Sequence, residues 1–468
     1  MSSVRSALSR LRPELTPTLS LAWPVILGHL GVMLMSLVDT LAVGQLGRAA
    51  IGAVSVGSAV YYVAFAAGLG MLLGVDHVAA VAYGAGDRRE IAHTYVQGLY
   101  VAAGASLPLM AALFWAASRL PGLGIDPALV PGAQAFLRVV ALSIGPVLLF
   151  NAARQTLQAL GDTRAAMVIL LAANGVNFAV NQLLVTGRWG APALGVAGSA
   201  WATVLSRVFM MLALLGYAAR KGLRLRDAGL GPDPARLQRL LKLGLPASVQ
   251  LVLEGGVFSV SSLLMARIGA GPAAAHQVVL QIASFTFMVP LGLSAAGTVR
   301  VGQSLGRGAL VESRRAGWAA VLLGATFMLA SGLTLLLAWR PLLGLFSLDP
   351  EVLTLAHALL FCAALFQLFD GLQVTLSGAL RGLGDTLSPM VANLIGHWLI
   401  GLPVGCLFAF VLRRGAVGMW IGLATGLAAV ALGLIGFWHR RSRTLSLERI
   451  FDTSSAHGHS ATHPTDLH

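Results

Sequence analysis

Twelve apolar stretches run through this 468-residue chain, near 17–42, 50–80, 92–117, 134–160, 165–187, 194–219, 243–267, 275–300, 316–346, 354–379, 388–412 and 416–438, each bounded by glycine, proline or charge. A hydrocarbon core about 30 Å thick calls for helices of about 20 apolar residues, because inside lipid each backbone amide must find its partner within its own segment. A closed barrel would instead alternate apolar and polar residues over strands of about ten. Hydrophobic residues make up 57% of the chain and charged residues 11%, with a mean hydropathy of +0.80, too little charge for the surface of a water-soluble protein. The expectation is an all-α integral membrane protein with twelve transmembrane helices. Arg5, Arg10 and Arg12 ahead of the first run imitate a signal peptide, but the run from Leu19 to Val43 is too long for one and lacks a small-residue cleavage site, so it is read as a retained helix.

The net charge of +14 sits in short loops between these runs, which fits topology bias and a membrane surface and excludes nucleic acid as partner. With the N-terminus inside, 23 of the 32 Lys and Arg fall in cytoplasmic segments and eight outside (Arg48, Arg119, Arg138, Arg188, Arg267, Arg340, Arg413 and Arg414), while Arg207 lies within a span. The positive-inside rule then places both termini in the cytoplasm and the protein, multi-pass, in the cell inner (plasma) membrane. The chain divides into a cytoplasmic segment 1–15, a six-helix lobe 16–220, a basic linker 221–242 rich in Gly and Pro, a second six-helix lobe 243–438, and a polar tail 439–468 expected to be disordered. The tail histidines His457, His459, His463 and His468 could bind metal only weakly. Cys362 and Cys406 both lie in apolar runs, so no disulfide framework or redox motif is expected.

An internal repeat organises the two lobes. Leu157-Gln-Ala-Leu-Gly-Asp-Thr163 with Met167 recurs as Leu380-Arg-Gly-Leu-Gly-Asp-Thr386 with Met390, and Pro24, Gly47, Gly70 and Gly84 have counterparts at Pro246, Gly269, Gly292 and Gly306. Six helices per repeat is an even number, so both halves insert the same way round and are related by a pseudo-two-fold axis along the membrane normal, with a cleft between them. The Leu-Gly-Asp-Thr segments read as tight turns: Gly161 and Gly384 end one helix in a left-handed conformation, and Asp162/Thr163 or Asp385/Thr386 cap the next.

Several segments together resemble the multidrug and toxic compound extrusion (MATE) transporters, in their NorM-like branch, over residues 15–438. They include Ser36-Leu-Val-Asp-Thr40 with Val43-Gly-Gln-Leu-Gly47, the run from Asn174 to Asn181, Gly195-Val-Ala-Gly-Ser-Ala200, Leu253-Glu-Gly-Gly256, Ala273-Ala-Ala-His-Gln277, Thr298-Val-Arg-Val-Gly-Gln-Ser-Leu-Gly306 and Ala379-Leu-Arg-Gly382. The resemblance implies a secondary antiporter that exchanges sodium ions or protons for lipophilic, usually cationic compounds by alternating access, with no cofactor and no enzymatic step. It implies a cation or proton site at Glu254 in the seventh span, and at Asp39 in the first, where family members carry an acid.

An ionised carboxylate at mid-bilayer costs about 2.5–3.5 kcal/mol even on mild scales, so each intramembrane acid needs a reason. Asp370 in the tenth span can approach Glu254, and two adjacent carboxylates suit either a hard cation such as sodium or a shared proton. A structural pair that only orders the lobe is the competing reading. Asn177 and Asn181, one turn apart, and Thr203 could line the cavity and hydrogen-bond Asp39, or serve as interhelical packing. Asp76 and His77 form a polar pair that could line the cavity or relay protons, and Arg207 snorkels or pairs. Phe366 stands one turn before Asp370, where sodium-type relatives often carry tyrosine. Tyr61, Tyr62, Phe65, Phe258, Phe285 and Phe287 could stack on cationic cargo or simply pack. The acids do not follow the repeat, since Asp39 aligns near Ser261 and Glu254 near Val32. Expected partners are small organic cations or drugs and membrane lipids, with the protein acting as a monomer. A flippase or exporter for a lipid-linked or polysaccharide precursor is the alternative, but it would call for a more cationic cleft. The chain offers no metal-ligand cluster, nucleophile elbow or phosphate loop for an enzyme.

Overall fold

The computed structural model describes residues 2–124, 126–223, 231–346 and 349–458. The first half comprises α1 (Ser2–Gly44), α2 (Arg48–Gly84), α3 (Arg88–Arg119), α4 (Val130–Ala141), α5 (Ile144–Ala159), α6 (Arg164–Leu184) and α7 (Val196–Arg220). The second comprises α8 (Pro234–Ile268), α9 (Ala270–Gly306), α10 (Leu310–Leu337), the short α11 (Trp339–Gly344), α12 (Pro350–Gly382), α13 (Leu387–Val411) and α14 (Gly415–Gly458). Eleven of these described helices are long and apolar enough to cross a bilayer, and α4 with α5, bent by 43° at their junction, supplies the twelfth span. Pro146 explains the bend, because it cannot donate to the carbonyl of Leu142 four residues back. In α13, Pro403 removes a donor in the same way, and the helix widens into π-helical turns at Leu394–Gly401 and Leu407–Val411.

Two boundaries differ from those read off composition. Residues 234–242 of the linker belong to α8: Pro234 occupies its first turn, and the Asp233 side chain accepts from the amides of Ala235 and Arg236, so the apparent loop punctuation is a helix start. The polar tail begins as helix, since α14 continues past Trp438 and its Arg441 donates to Asp385 at 2.9 Å. Arg224 and Arg226 of the linker, and His459, His463 and His468 of the tail, lie outside the described residues.

The Leu-Gly-Asp-Thr turns end their helices as expected. Gly161 (φ 87°) and Gly384 (φ 80°) are left-handed, and the amides of Asp162 and Asp385 reach back to the carbonyls of Leu157 and Leu380 at 2.9 and 3.0 Å. The capping differs between the repeats. Asp385 caps the next helix through the Ser388 amide (2.9 Å), whereas Asp162 accepts from Tyr217 (2.7 Å) and pairs with Lys221 (3.3 Å) instead. Neither Thr163 nor Thr386 makes a side-chain cap.

The pseudo-two-fold axis is visible in the contacts between the lobes. A Cβ on Gly84 would meet the Gln303 carbonyl oxygen at 2.1 Å, and one on Gly306 would meet the Val81 carbonyl oxygen at 2.1 Å, two contacts that exchange under the repeat. Gly70 against Ser248 and Gly292 against Ile26 form a second such pair. Both pairs lie in the halves of α2 and α9 next to the basic loops. The same side carries the ion pair Glu14–Arg300, the bond from Gln303 Nε2 to the Ala159 carbonyl (2.8 Å) and the ion pair Arg236–Glu90 (2.8 Å). Toward the other face Tyr62 of α2 lies against Gly255 of α8 yet remains 58% exposed, as the wall of a cleft open on that side.

At Gly70, Gly84 and Gly306 glycine is required because the nearest opposing atoms are backbone and cannot rotate away, whereas Gly292 meets the Ile26 side chain first. Gly84→Val and Gly306→Val should each lower stability by about 1–3 kcal/mol through overpacking. Gly433→Val, at a site with nothing within 4 Å, should not. Thermal denaturation in detergent checks this, and wild-type stability of Gly84→Val would contradict the close approach.

Candidate functional site

Asp39 is half-buried on α1, and its carboxylate receives three donors from two other helices. Asn177 and Asn181 of α6 donate to Oδ1 at 2.9 and 2.7 Å, and Thr203 of α7 donates to Oδ2 at 3.0 Å. The i, i+4 spacing on a regular helix puts both amides on one face, which is why one oxygen can take both. Asn177 and Asn181 are fully buried and Thr203 nearly so; these residues hold the acid rather than line the cleft.

In the other lobe Glu254 sits midway along α8 and Asp370 is buried on α12, and the two carboxyls lie within electrostatic reach of each other. Gln373, one turn beyond Asp370, hydrogen-bonds Glu254 and also donates to Asn393 Oδ1 of α13 at 3.4 Å. Gly255 next to Glu254 faces Tyr62 of the first lobe, so this acidic pair adjoins the inter-lobe cleft. Two carboxylates with the unpartnered Oε1 of Gln373 form an oxygen-rich site that can take a hard cation or share a proton.

The Asp76–His77 pair is elsewhere. Both residues are buried in the seam where the lobes close on the basic side, with His77 Nδ1 3.0 Å from the Gly382 carbonyl at the end of α12. Asp76 lies in the electrostatic field of Arg154 and Arg381, and its Oδ1 has no hydrogen-bond partner. In this conformation the pair belongs to the seal between lobes and not to the open cavity. Arg207 pairs as expected, donating to the Tyr61 hydroxyl and to Ser143 Oγ (2.6 Å) inside the first lobe. Tyr61 is thereby buried and stacks near Phe65, while Phe258 packs edge-on to Phe366, so of these aromatics Tyr62 and Phe285 keep about half their surface.

Sequence reasoning missed Gln373, Asn393 and His397, and it counted Arg154 and Arg381 among the cytoplasmic cations, whereas both are drawn into the protein interior. The first three sit in apolar runs at a depth where polar side chains are costly. That cost was the available signal for them.

Comparison with known proteins identifies relatives of the same fold. The MatE family model matches residues 24–183 and again 246–407. The probable multidrug resistance protein NorM of Mesorhizobium japonicum is 38% identical over 444 residues, covering 92% of this chain and 95% of its own. The probable multidrug resistance protein NorM of Deinococcus radiodurans is 39% identical over 441 residues, covering 92% and 96%. Among solved structures, the eukaryotic MATE transporter AtDTX14 superposes with a TM-score of 0.84 at 21% identity, over 93% of this chain and 98% of that one. A MATE transporter in the bent conformation gives 0.85 at 20%, over 94% and 98%. At such identities the structures speak for the fold.

The donors around Asp39 separate charge from hydrogen bonding. In Asp39→Asn the amide oxygen still accepts from Asn177 and Asn181, while Thr203 can turn its hydroxyl to accept, so the fold should lose less than about 1 kcal/mol. Asp39→Ala leaves the buried Asn177 amide without its acceptor, while Asn181 and Thr203 fall back on the carbonyls of Asn177 and Ser199, and should cost about 1–3 kcal/mol. Thermal denaturation of both variants tests the arrangement, and equal stabilities would rule it out.

Proposed function

The chain belongs to the MATE (MatE) family of multi-pass membrane transporters, and from that premise we propose that it is a secondary antiporter exporting lipophilic organic cations in exchange for protons or sodium ions. The relatives named as multidrug resistance proteins support the cargo class. The observation that carries the reading is the Glu254–Asp370 pair in the middle of the second lobe, beside the inter-lobe cleft. A buried carboxylate has a large free-energy difference between its charged and neutralised forms, so it binds a small cation and a cationic cargo competitively. Loading the ion from the open side neutralises the site and releases cargo; the lobes then rock about the α2–α9 crossing, breaking ties such as Glu14–Arg300 to open the basic face.

In this reading both termini and the basic linker 221–242 are cytoplasmic, the two lobes are the six-helix units 16–220 and 243–438, the protein works as a monomer in the inner membrane, and Asp39 is a second ion-responsive group. Flipping of an anionic lipid-linked precursor is less well supported, because it needs cations free to meet a headgroup. Arg207 is committed to Tyr61 and Ser143, Arg154 to Asn151, and Arg381 to Ser294.

Reconstituted protein should move ethidium only under an imposed proton or sodium gradient. Glu254→Gln should abolish that movement, and Asp39→Asn should reduce it on the order of tenfold while remaining folded, as expected for loss of a group that acts through its charge. Gradient-driven transport at the wild-type rate in Glu254→Gln would remove the site from the mechanism.

A further inference from the structure

One helical turn beyond Glu254 and Asp370, toward the open side of the cleft, stands a buried histidine. His397 lies in the π-helical stretch of α13, is 1% exposed, and both its Nδ1 and Nε2 are buried without a hydrogen-bond partner. Its ring centroid is 6.4 Å from that of Phe258, which sits one turn from Glu254 on α8. Phe258 in turn meets Phe366 at 6.0 Å, one turn from Asp370 on α12. Asn393, one turn before His397 on α13, is the residue bonded to Gln373. Two layers result. Glu254, Asp370, Gln373 and Asn393 form the inner one; Phe258, Phe366 and His397 cover it from the open side.

A second histidine in the same lobe shows what an ordinary packed one looks like. Trp420 Nε1 donates to His276 Nδ1 at 3.1 Å, which leaves Nε2 to carry the proton and meet Ser262 Oγ at 2.9 Å, so His276 is held neutral with both nitrogens satisfied. His397 has no such partners, and each unpaired buried polar atom costs about 1–3 kcal/mol unless water or a transferred proton relieves it. The π-helical widening is a further cost at the same place, of the kind that concentrates at functional positions. The outer layer offers no oxygen ligand: Phe258 and Phe366 are hydrocarbon, and imidazole is a poor ligand for a hard alkali cation but a good carrier of protons. The repeat puts Asn174 at the equivalent position, given the shared Leu-Gly-Asp-Thr register, and its Oδ1 is likewise buried and unpartnered. Only the second lobe has a titratable group there.

We propose that His397 is the proton-exchanging residue of the second-lobe site: it takes a proton from the open side of the cleft and passes it to the Glu254–Asp370 pair, so that the ion exchanged through this lobe is the proton. The transfer leaves a neutral imidazole and one carboxylic acid, whose O–H supplies the donor that Gln373 Oε1 lacks. The charged groups nearest His397 along its neighbouring helices are Glu254 on α8 and Asp370 on α12, one turn deeper, with Arg381 deeper still and Tyr62 of α2 both in the field of Glu254. On α13 itself there is Cys406, α14 has none from Gly415 to Trp438, and His276 of α9 lies beyond Phe366 and Trp420. The inference rests on the reading of Glu254 and Asp370 as the coupling site.

The test uses the full-length protein in sodium-free proteoliposomes, with ethidium as cargo and a proton gradient imposed at several values of pH on the proton-loading side. His397→Gln should bind ethidium with wild-type affinity and export it on the order of tenfold more slowly at mildly alkaline pH, where a positioned proton carrier matters most. At acid pH, where the carboxylates load directly, it should recover to within about twofold of wild type, a pH-selective loss that a packing defect does not produce. His397→Met, matched in size, serves if the glutamine variant does not fold. A wild-type pH profile in the variant, an equal loss at every pH, or export by wild type under a sodium gradient alone would overturn the proposal. Glu254→Gln separates the two levels: if it still exports, the coupling site itself is misassigned, whereas a dead Glu254→Gln beside an unshifted His397→Gln profile rejects only the role of His397.

Discussion

A polar group carried into hydrocarbon has to find its partner inside the protein, and the rest of this structure follows from that requirement. The backbone meets it by running in helices from one face to the other. The few buried ionisable side chains meet it only in the seams between helices, where other side chains can reach them. Asp39 is held by three donors from α6 and α7, Glu254 by Gln373, and Arg207 by Tyr61 and Ser143. Charges facing lipid could not be satisfied in this way, so the intramembrane acids are confined to the interiors of the lobes and to the cleft between them.

The duplication preserved what backbone contact enforces and let the rest diverge. Gly84 and Gly306 keep their exchange-related contacts because a side chain at either would strike a carbonyl that cannot move. No comparable constraint fixes the polar residues. Asp39 in the first lobe aligns with Ser261, buried with its hydroxyl unpartnered, and Glu254 aligns with Val32, which is half exposed. The paired helices α6 and α13 diverge in the same manner: α6 stays regular and presents Asn177 and Asn181 to Asp39, while Pro403 widens α13 and a histidine replaces the asparagine of its partner. A symmetric scaffold can thus hold unlike sites. The tight seam along α2 and α9 on the basic side, with His77 on the Gly382 carbonyl, keeps the two lobes together on that face.

By itself the sequence determined the helical membrane fold, the span positions, the duplication and the three principal acids, because each leaves a local or periodic mark. Apolar length identifies a span, a repeated Leu-Gly-Asp-Thr identifies the register, and a carboxylate within an apolar run identifies itself by its cost. The Asn177–Asn181–Thr203 grouping around Asp39 was legible too, since helical spacing fixes which amides share a face. Tertiary structure alone decided that Asp76 and His77 belong to the seam instead of the cavity. It also decided that Asp162 serves Tyr217 and Lys221 instead of capping α6, and that Gln373 and Asn393 complete the second-lobe site. His397 was hidden for the same reason: its spacing marks no face in a helix whose pitch changes, and whether its nitrogens find partners depends on residues more than a hundred positions away. Spacing along one helix is set by covalent geometry, but the pairing of buried polar groups is set by how helices distant in the chain cross, which no single segment encodes.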